Sequence, residues 1–241
     1  LNADSGRTAA ADEDALDFIA GVGGGDVRSA LGVLENVYAV AKDKITRADA
    51  EQFTPAFVGN FDRAGDVHYD LLSCLQKSIR GSDADAAVFY LARILEGGDL
   101  LSACRRLLVI AAEDVGLAYP QGIILAKACV DSARELGLPE AVIPLADLVV
   151  ALATAPKSNS AYAAYHAAAG DLRAGHGQEV PVHLQSPLFK GYKYPHDYPN
   201  HYVKQQYLPR DLADRQYYVF GENKTEQAAK RYWDEVKNEK K

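Results

Sequence analysis

Apolar residues recur at three- and four-residue steps through most of the chain before residue 174, the spacing that turns one face of an α-helix toward a core. Leu16, Ile19 and Ala20 make one such face, and Ala30, Leu31, Leu34, Val37 and Tyr38 make the next. Gly23, Gly24 and Gly25 break the pattern between them, and Asp26 reads as a helix cap. Thr46 with Asp49 reads as a capping box in which Asp replaces the usual Glu or Gln. Pro55 and Gly59 mark a boundary. Beyond it, Val67, Leu71, Leu75 and Ile79 predict a helix over 66–79. Asp83 caps a helix carrying Val88, Leu91 and Leu95, and Asp99 caps one carrying Ala103, Leu107 and Ile110, ended by Gly116. Pro120 suits the first turn of a helix reaching residue 136, and Pro144 the start of another running through 152. Ser158 or Asn159 then caps a helix ending near Arg173, with Tyr162 and Tyr165 packed beneath the turn. Short connections of this kind favour antiparallel neighbours. No stretch alternates as a half-buried strand does.

The helical pattern stops near Gly175. The next fifty or so residues are rich in Pro, Gly and Tyr, and too aromatic for a simple disordered tail. They predict an extended segment over the helices, with room for one hairpin. A final helix over 225–237 carries Ala229, Tyr232, Trp233 and Val236.

Composition changes this picture little. Hydrophobic residues make up 48% of the 241 and charged residues 24%, an ordinary globular balance. The net charge of -7 argues against a nucleic-acid surface over the whole chain but leaves room for one basic face. Cys74, Cys104 and Cys129 are odd in number and too widely spaced for a metal knuckle, so they read as buried thiols of a reducing compartment. No run has the length and apolarity of a membrane span, and no secretory leader is visible. The absence of methionine, with a start at Leu1, points to a sequence from which residues are missing.

Candidate chemistry is sparse. The glycines of GVGGGDVRSAL precede no Lys-Ser or Lys-Thr and follow no strand, so they read as a turn and not a phosphate loop. Arg28 lies in a first helical turn, where the helix dipole favours anions, not cations. It either forms a salt bridge or offers its guanidinium fork to a phosphate from another module. Lys157 stands on the Pro-Lys-Ser-Asn break, and the neighbouring Ser158 has no adjacent base to make it a nucleophile. Glu113 and Asp114 are adjacent, so they do not face each other on a helix, and one of them answers Arg105 or Arg106 more naturally. His196 with Asp197, near His201, is a metal option without zinc-site spacing. From 190 to 215, Lys190, Lys193, Lys204, Arg210 and Arg215 stand against Asp197, Asp211 and Asp214. Tyrosines are interleaved with them, a composition suited to stacking on single-stranded bases or to a protein interface.

Six stretches in order carry a resemblance: GDVRSALGVLE (25–35), GDVHYDLLSCLQKSIRGSDADAAVFYLARILEGGD (65–99), RRLLVIAAEDVGLAYP (105–120), TAPKSNSAY (154–162), VPVHL (180–184) and GYKYPHDYP (191–199). Together they resemble the C-terminal half of the MgsA/RarA/WRNIP1 family, the replication-associated recombination AAA+ ATPases related to clamp loaders. The family's run between VPVHL and KGYKY is longer than the QSPLF found here.

The resemblance implies a mostly α fold: AAA+ lid-type helices, then an antiparallel multi-helix domain, then a Tyr/Pro-rich extended segment and a final helix. The divisions expected are the end of the lid over 1–57, a helical oligomerisation core over 58–174, and the extended segment with its helix over 175–241. In the family's pattern Arg28 would be the sensor-2 residue, bringing positive charge from the lid onto the nucleotide's terminal phosphates. Walker A and B motifs are absent from this chain, so ATP and Mg2+ would belong to the full-length protein, and no catalytic residue or metal is expected here. The resemblance further implies a homotetramer in a bacterial cytoplasm, associated with the nucleoid. Its partners would be DNA at forks, gaps or single-strand ends, together with single-strand-binding protein, and no membrane. Lys157, Lys190, Lys193 and Lys204 are the candidate DNA or subunit contacts. The alternatives are a stand-alone helical interaction module, or a metal-dependent hydrolase built around His196 and His201.

Overall fold

The computed structural model describes residues 9–22, 27–41, 43–53, 66–187 and 189–237, without the side chains of Arg28, Ser29, Asp66 and Val67. The Gly23 to Gly25 break, the Asp26 cap and the Pro55/Gly59 boundary lie outside the described residues. Two compact units are formed, one by residues 1–111 and 121–155, the other by 112–120 and 156–241.

In the first unit, residues 9–53 build a small cluster. Helix α1 (Glu13–Val22) packs on α2 (Val27–Val40) and α3 (Arg47–Gln52), while β1 (Ala10–Ala11) pairs in parallel with β2 (Lys44–Ile45). The strands are two residues long, too short to show the alternation by which a strand is read. The Thr46 capping box is present: Asp49 N–H donates to Thr46 Oγ1 and Thr46 N–H donates to Asp49 Oδ2, at 3.3 and 3.0 Å. Of the expected face of α1, Ile19 points inward and Leu16 and Ala20 do not. Ala15 and Ile19 are buried, whereas Leu16 is 44% exposed. Val37 and Tyr38 are buried as expected, but Leu31 is exposed.

The remainder of this unit is a helical bundle of α4 (Asp66–Arg80), α5 (Ala84–Glu96), α6 (Leu100–Ile110), α7 (Gln121–Leu136) and α8 (Val142–Thr154). Helix α4 packs on α5 and α6, α8 packs on α5 and α7, and α6 packs on α7. Capping explains why the chain turns where it does. Asp83 accepts from Ala86 N–H at 2.9 Å and Asp99 from Ser102 N–H at 3.0 Å, each satisfying a first-turn donor. Gly98, at φ 75°, supplies the left-handed residue that ends α5. Pro144 sits in the first turn of α8, where its missing N–H costs nothing. Leu75, Ile79, Ile94, Leu107, Leu145, Leu148 and Leu152 are fully buried, each contributing about 1.5–3 kcal/mol. Ala87, Ala103, Ala126 and Ala133 are buried among them, which lets helices approach closely. Val88, expected in this core, sits at its edge instead. Arg106 donates to the buried Gln76 at 2.7 Å.

The second unit holds α9 (Ser160–Arg173), an irregular stretch over 174–223 and α10 (Lys224–Lys237). Among its described residues the irregular stretch forms single 3-10 turns and no strand, so the hairpin is absent. Asp171 on α9 anchors it, accepting from Arg215 and from the Tyr217 hydroxyl at 2.9 and 2.8 Å. Phe220 joins it to α10, its ring lying edge-on to Tyr218 and Trp233. Helix α9 has no buried residue, and its Tyr165 is 71% exposed, so Tyr162 and Tyr165 do not pack beneath the turn as expected. No described helix is long and apolar enough to cross a membrane.

Candidate functional site

The Pro-Lys-Ser-Asn break is one of three segments that meet in the second unit. The first follows α6: a π-helical turn (Ala111–Val115) and a 3-10 turn (Gly116–Ala118). Gly116 has φ 47°, and a Cβ there would stand 2.5 Å from the Ser158 carbonyl oxygen. Glycine is therefore demanded twice, by conformation and by the close passage of another backbone. The second segment is 156–160, whose Ser158 N–H donates to the Asp114 carbonyl at 2.9 Å. The third is 218–226, entering α10, where the Thr225 hydroxyl donates to the Ala118 carbonyl at 2.8 Å.

Glu226 lies at the centre and is 2% exposed. Its Oε1 accepts from the Ser160 hydroxyl at 2.6 Å, the Tyr218 hydroxyl at 2.9 Å and the Gly221 N–H at 3.0 Å. Its Oε2 accepts from Asn223 Nδ2 at 2.6 Å. Burial pushes the carboxyl's pKa up, but donors from Ser158, Ser160, Gly221 and Asn223 outweigh it and hold the pKa at about 2. The Tyr218 hydroxyl is shifted the other way: burial first, then its bond to Glu226, raise its pKa. Glu226 N–H in turn donates to Asn223 Oδ1, so the Asn223 side chain caps the start of α10 while its amide donates back to the Glu226 carboxylate. With four donors on its two oxygens, Glu226 acts as an anchoring anion for the three segments.

Sequence reasoning missed Glu226, although the Asn-Lys-Thr-Glu spacing is a capping signal that would have found it. Ser158 and Asn159 were the expected caps of α9. Asn159 holds the N-cap position but makes no side-chain capping bond, and Ser158 Oγ accepts from Ser160 N–H at 3.3 Å.

Lys157 is half-buried at this junction. Burial lowers its pKa, and the charge of Asp114 partly restores it. Lys190, Lys193 and Lys204 are exposed. The Gln205 side chain brings two of these stretches together, accepting from Lys193 N–H at 3.2 Å and donating to Lys193 C=O at 2.7 Å, as a strand neighbour would. Arg28 lies on α2, and its side chain is outside the described residues. His196 and His201 have ring centroids 4.9 Å apart, but among the described residues no group of three or more His, Cys, Asp or Glu side chains could hold a metal ion.

Comparison with known proteins covers both parts of the chain. Residues 5–80 match the family described as AAA C-terminal domain, and residues 81–237 the one described as MgsA AAA+ ATPase C terminal. The chain is 46% identical over 245 aligned positions to Replication-associated recombination protein A of Bacillus subtilis, covering 95% of this chain and 58% of that protein. To the protein of the same name in Escherichia coli it is 39% identical, over 80% of this chain and 47% of that one. A Dictyostelium discoideum protein named ATPase WRNIP1 is 32% identical over 87% of this chain and 28% of its own length. The chain thus spans about half the length of the bacterial relatives it matches. It belongs to the MgsA/RarA family of AAA+ ATPases and corresponds to that family's C-terminal region.

Proposed function

We propose that this chain is the lid-end and assembly region of a DNA-dependent AAA+ ATPase that acts in replication, recombination and repair at stalled forks. Residues 1–57 end the lid, 58–174 form a tetramerisation core, and 175–241 cover it. Arg28 reaches the terminal phosphates of ATP held with Mg2+ by the rest of the protein, and this region alone does not turn ATP over. Lys157, Lys190, Lys193 and Lys204 contribute contacts to DNA or to a neighbouring subunit, with single-strand-binding protein as a further partner. The setting is the bacterial nucleoid.

The observation that carries the assembly role is α9. It is 14 residues long, rich in Ala and Tyr, and buries none of them within its own chain. A helix of this length is marginal in isolation, and the exposed Tyr162 and Tyr165 give it a face suited to a partner surface. The names of the bacterial relatives support the DNA setting. Light scattering on a sizing column tests the reading. A species near four times 26.1 kDa is the expected result, and a monomer across a wide concentration range overturns it.

A further inference from the structure

Residues 194–201 expose three aromatic rings in a row. The His196 ring lies 5.1 Å from Tyr194 on one side and 4.9 Å from His201 on the other, tilted by 45° and 50°. All three side chains are exposed, Tyr194 by 52%. The rings stay in solvent, on a backbone that local turns and one side-chain clamp hold in place.

The support is local and stiff. Pro195 and Pro199 each open a 3-10 turn, which fixes φ beside Tyr194 and Tyr198. Asn200 and His201 follow at φ 55° and 53°, a left-handed pair that folds the second turn back and brings His201 onto His196. Side chains rarely take such a backbone unless the surroundings impose it. The Gln205 clamp on Lys193 holds the entry to the first turn, and the same amide donates to the Tyr207 hydroxyl at 2.8 Å. Little ordering is left for a ligand to impose.

The charge around the rings selects the ligand. Residues 189–207 carry Lys190, Lys193 and Lys204 against Asp197 in a chain of net charge -7. Among the described residues these three lysines form no ion pair. Exposed rings at stacking distance, with unpaired lysines close by in sequence, match a polyanion with free aromatic faces, an unpaired nucleic-acid strand. A duplex has no such faces to offer, since its bases are already stacked. We infer that Tyr194, His196 and His201 form a stacking ledge for the unpaired bases of single-stranded DNA, with Lys190 and Lys193 on its phosphates. The inference rests on the DNA-binding reading above and gives it an address and a preference.

The test uses the full-length protein and fluorescence anisotropy with an oligothymidine of about 16 nucleotides, beside a hairpin duplex. The ledge is removed by Tyr194→Ser, His196→Ser and His201→Asn together, Asn being chosen because it tolerates the left-handed backbone. The expected result is single-strand binding weakened by about tenfold or more, with duplex affinity, solution mass and thermal midpoint unchanged. Lys190→Gln with Lys193→Gln should instead flatten the salt dependence by about 0.7 per lysine in logarithmic slope. Unchanged single-strand affinity, or an equal loss on both probes, overturns the ledge while leaving DNA binding intact. A fall in solution mass makes the rings a subunit contact and overturns it as well. Wild-type protein that binds neither probe, and whose ATP hydrolysis ignores DNA, overturns the functional reading itself.

Discussion

Ser160, the first residue of α9, donates a 2.6 Å hydrogen bond to Glu226 in the first turn of α10, 66 positions further along the chain. The bond ties the start of the unburied helix to the start of the last one. Glu226→Gln keeps the size of the side chain but turns one acceptor into a donor facing other donors. Each buried group left unsatisfied costs about 1–3 kcal/mol, so the thermal midpoint should fall by several degrees, at about 2–4 °C per kcal/mol. Scanning calorimetry of the two proteins at neutral pH checks this; a midpoint that does not move means that the junction contributes nothing.

Acid should act on the same group. A carboxyl held at about 2 in the folded protein and near its ordinary value when unfolded contributes about 3 kcal/mol at neutral pH. Because the folded pKa is depressed, that stability is complete above the ordinary value and is lost as pH falls toward about 2. The urea midpoints of wild type and Glu226→Gln should therefore stand apart at pH 7 and converge on acidification. A constant gap down to the acid limit of folding contradicts the assignment.

Gly116→Ala should be severe for its size. The left-handed backbone alone costs about 1–3 kcal/mol, and the new Cβ would stand 2.5 Å from the Ser158 carbonyl oxygen, which cannot rotate away as a side-chain tip could. Urea unfolding should show the loss, accompanied by faster hydrogen exchange at the Ser158 amide, which bonds Asp114. Full protection at that amide would show that the two backbones do not need this approach.

The face of α9 is open to a direct test. Tyr165→Asp alters a side chain that is 71% exposed, so stability should stay within about 0.5 kcal/mol. Light scattering should nevertheless show the assembly dissociating toward the 26.1 kDa chain. An unchanged mass moves the assembly surface elsewhere.

Arg28→Ala in the full-length protein should lower ATP turnover by about tenfold or more and leave the solution mass alone. Loss of both together would make Arg28 a structural residue of α2.

Much of the helical order could be read from local spacing because its causes are local. Asp83, Asp99 and Thr46 each cap a donor three positions on, and a three-residue reach is visible in a string of letters. The helix faces were less legible. Ala15 and Ala87 are buried while their larger neighbours Leu16 and Val88 are not, because close helix contacts choose small residues and a hydropathy pattern favours bulk. The junction was hardest. Lys157 drew attention as a cation on a turn, yet the group that organises this place is an anion whose partners Ser158 and Ser160 belong to another motif. The three rings were legible as residue types, but the left-handed pair that aligns them is carried by Asn200 and His201, with no glycine to announce it.

The order of the junction along the chain has a consequence for synthesis. The ribosome releases Gly116 first, Ser160 next and Glu226 last. At about 5–20 residues per second, α9 waits roughly 3–13 s for its acceptor. During that interval its hydroxyl has no carboxylate to meet, and the helix start stays loose. A nascent chain therefore cannot tie the start of α9 down until Glu226 has emerged, and the junction closes only at that point of synthesis.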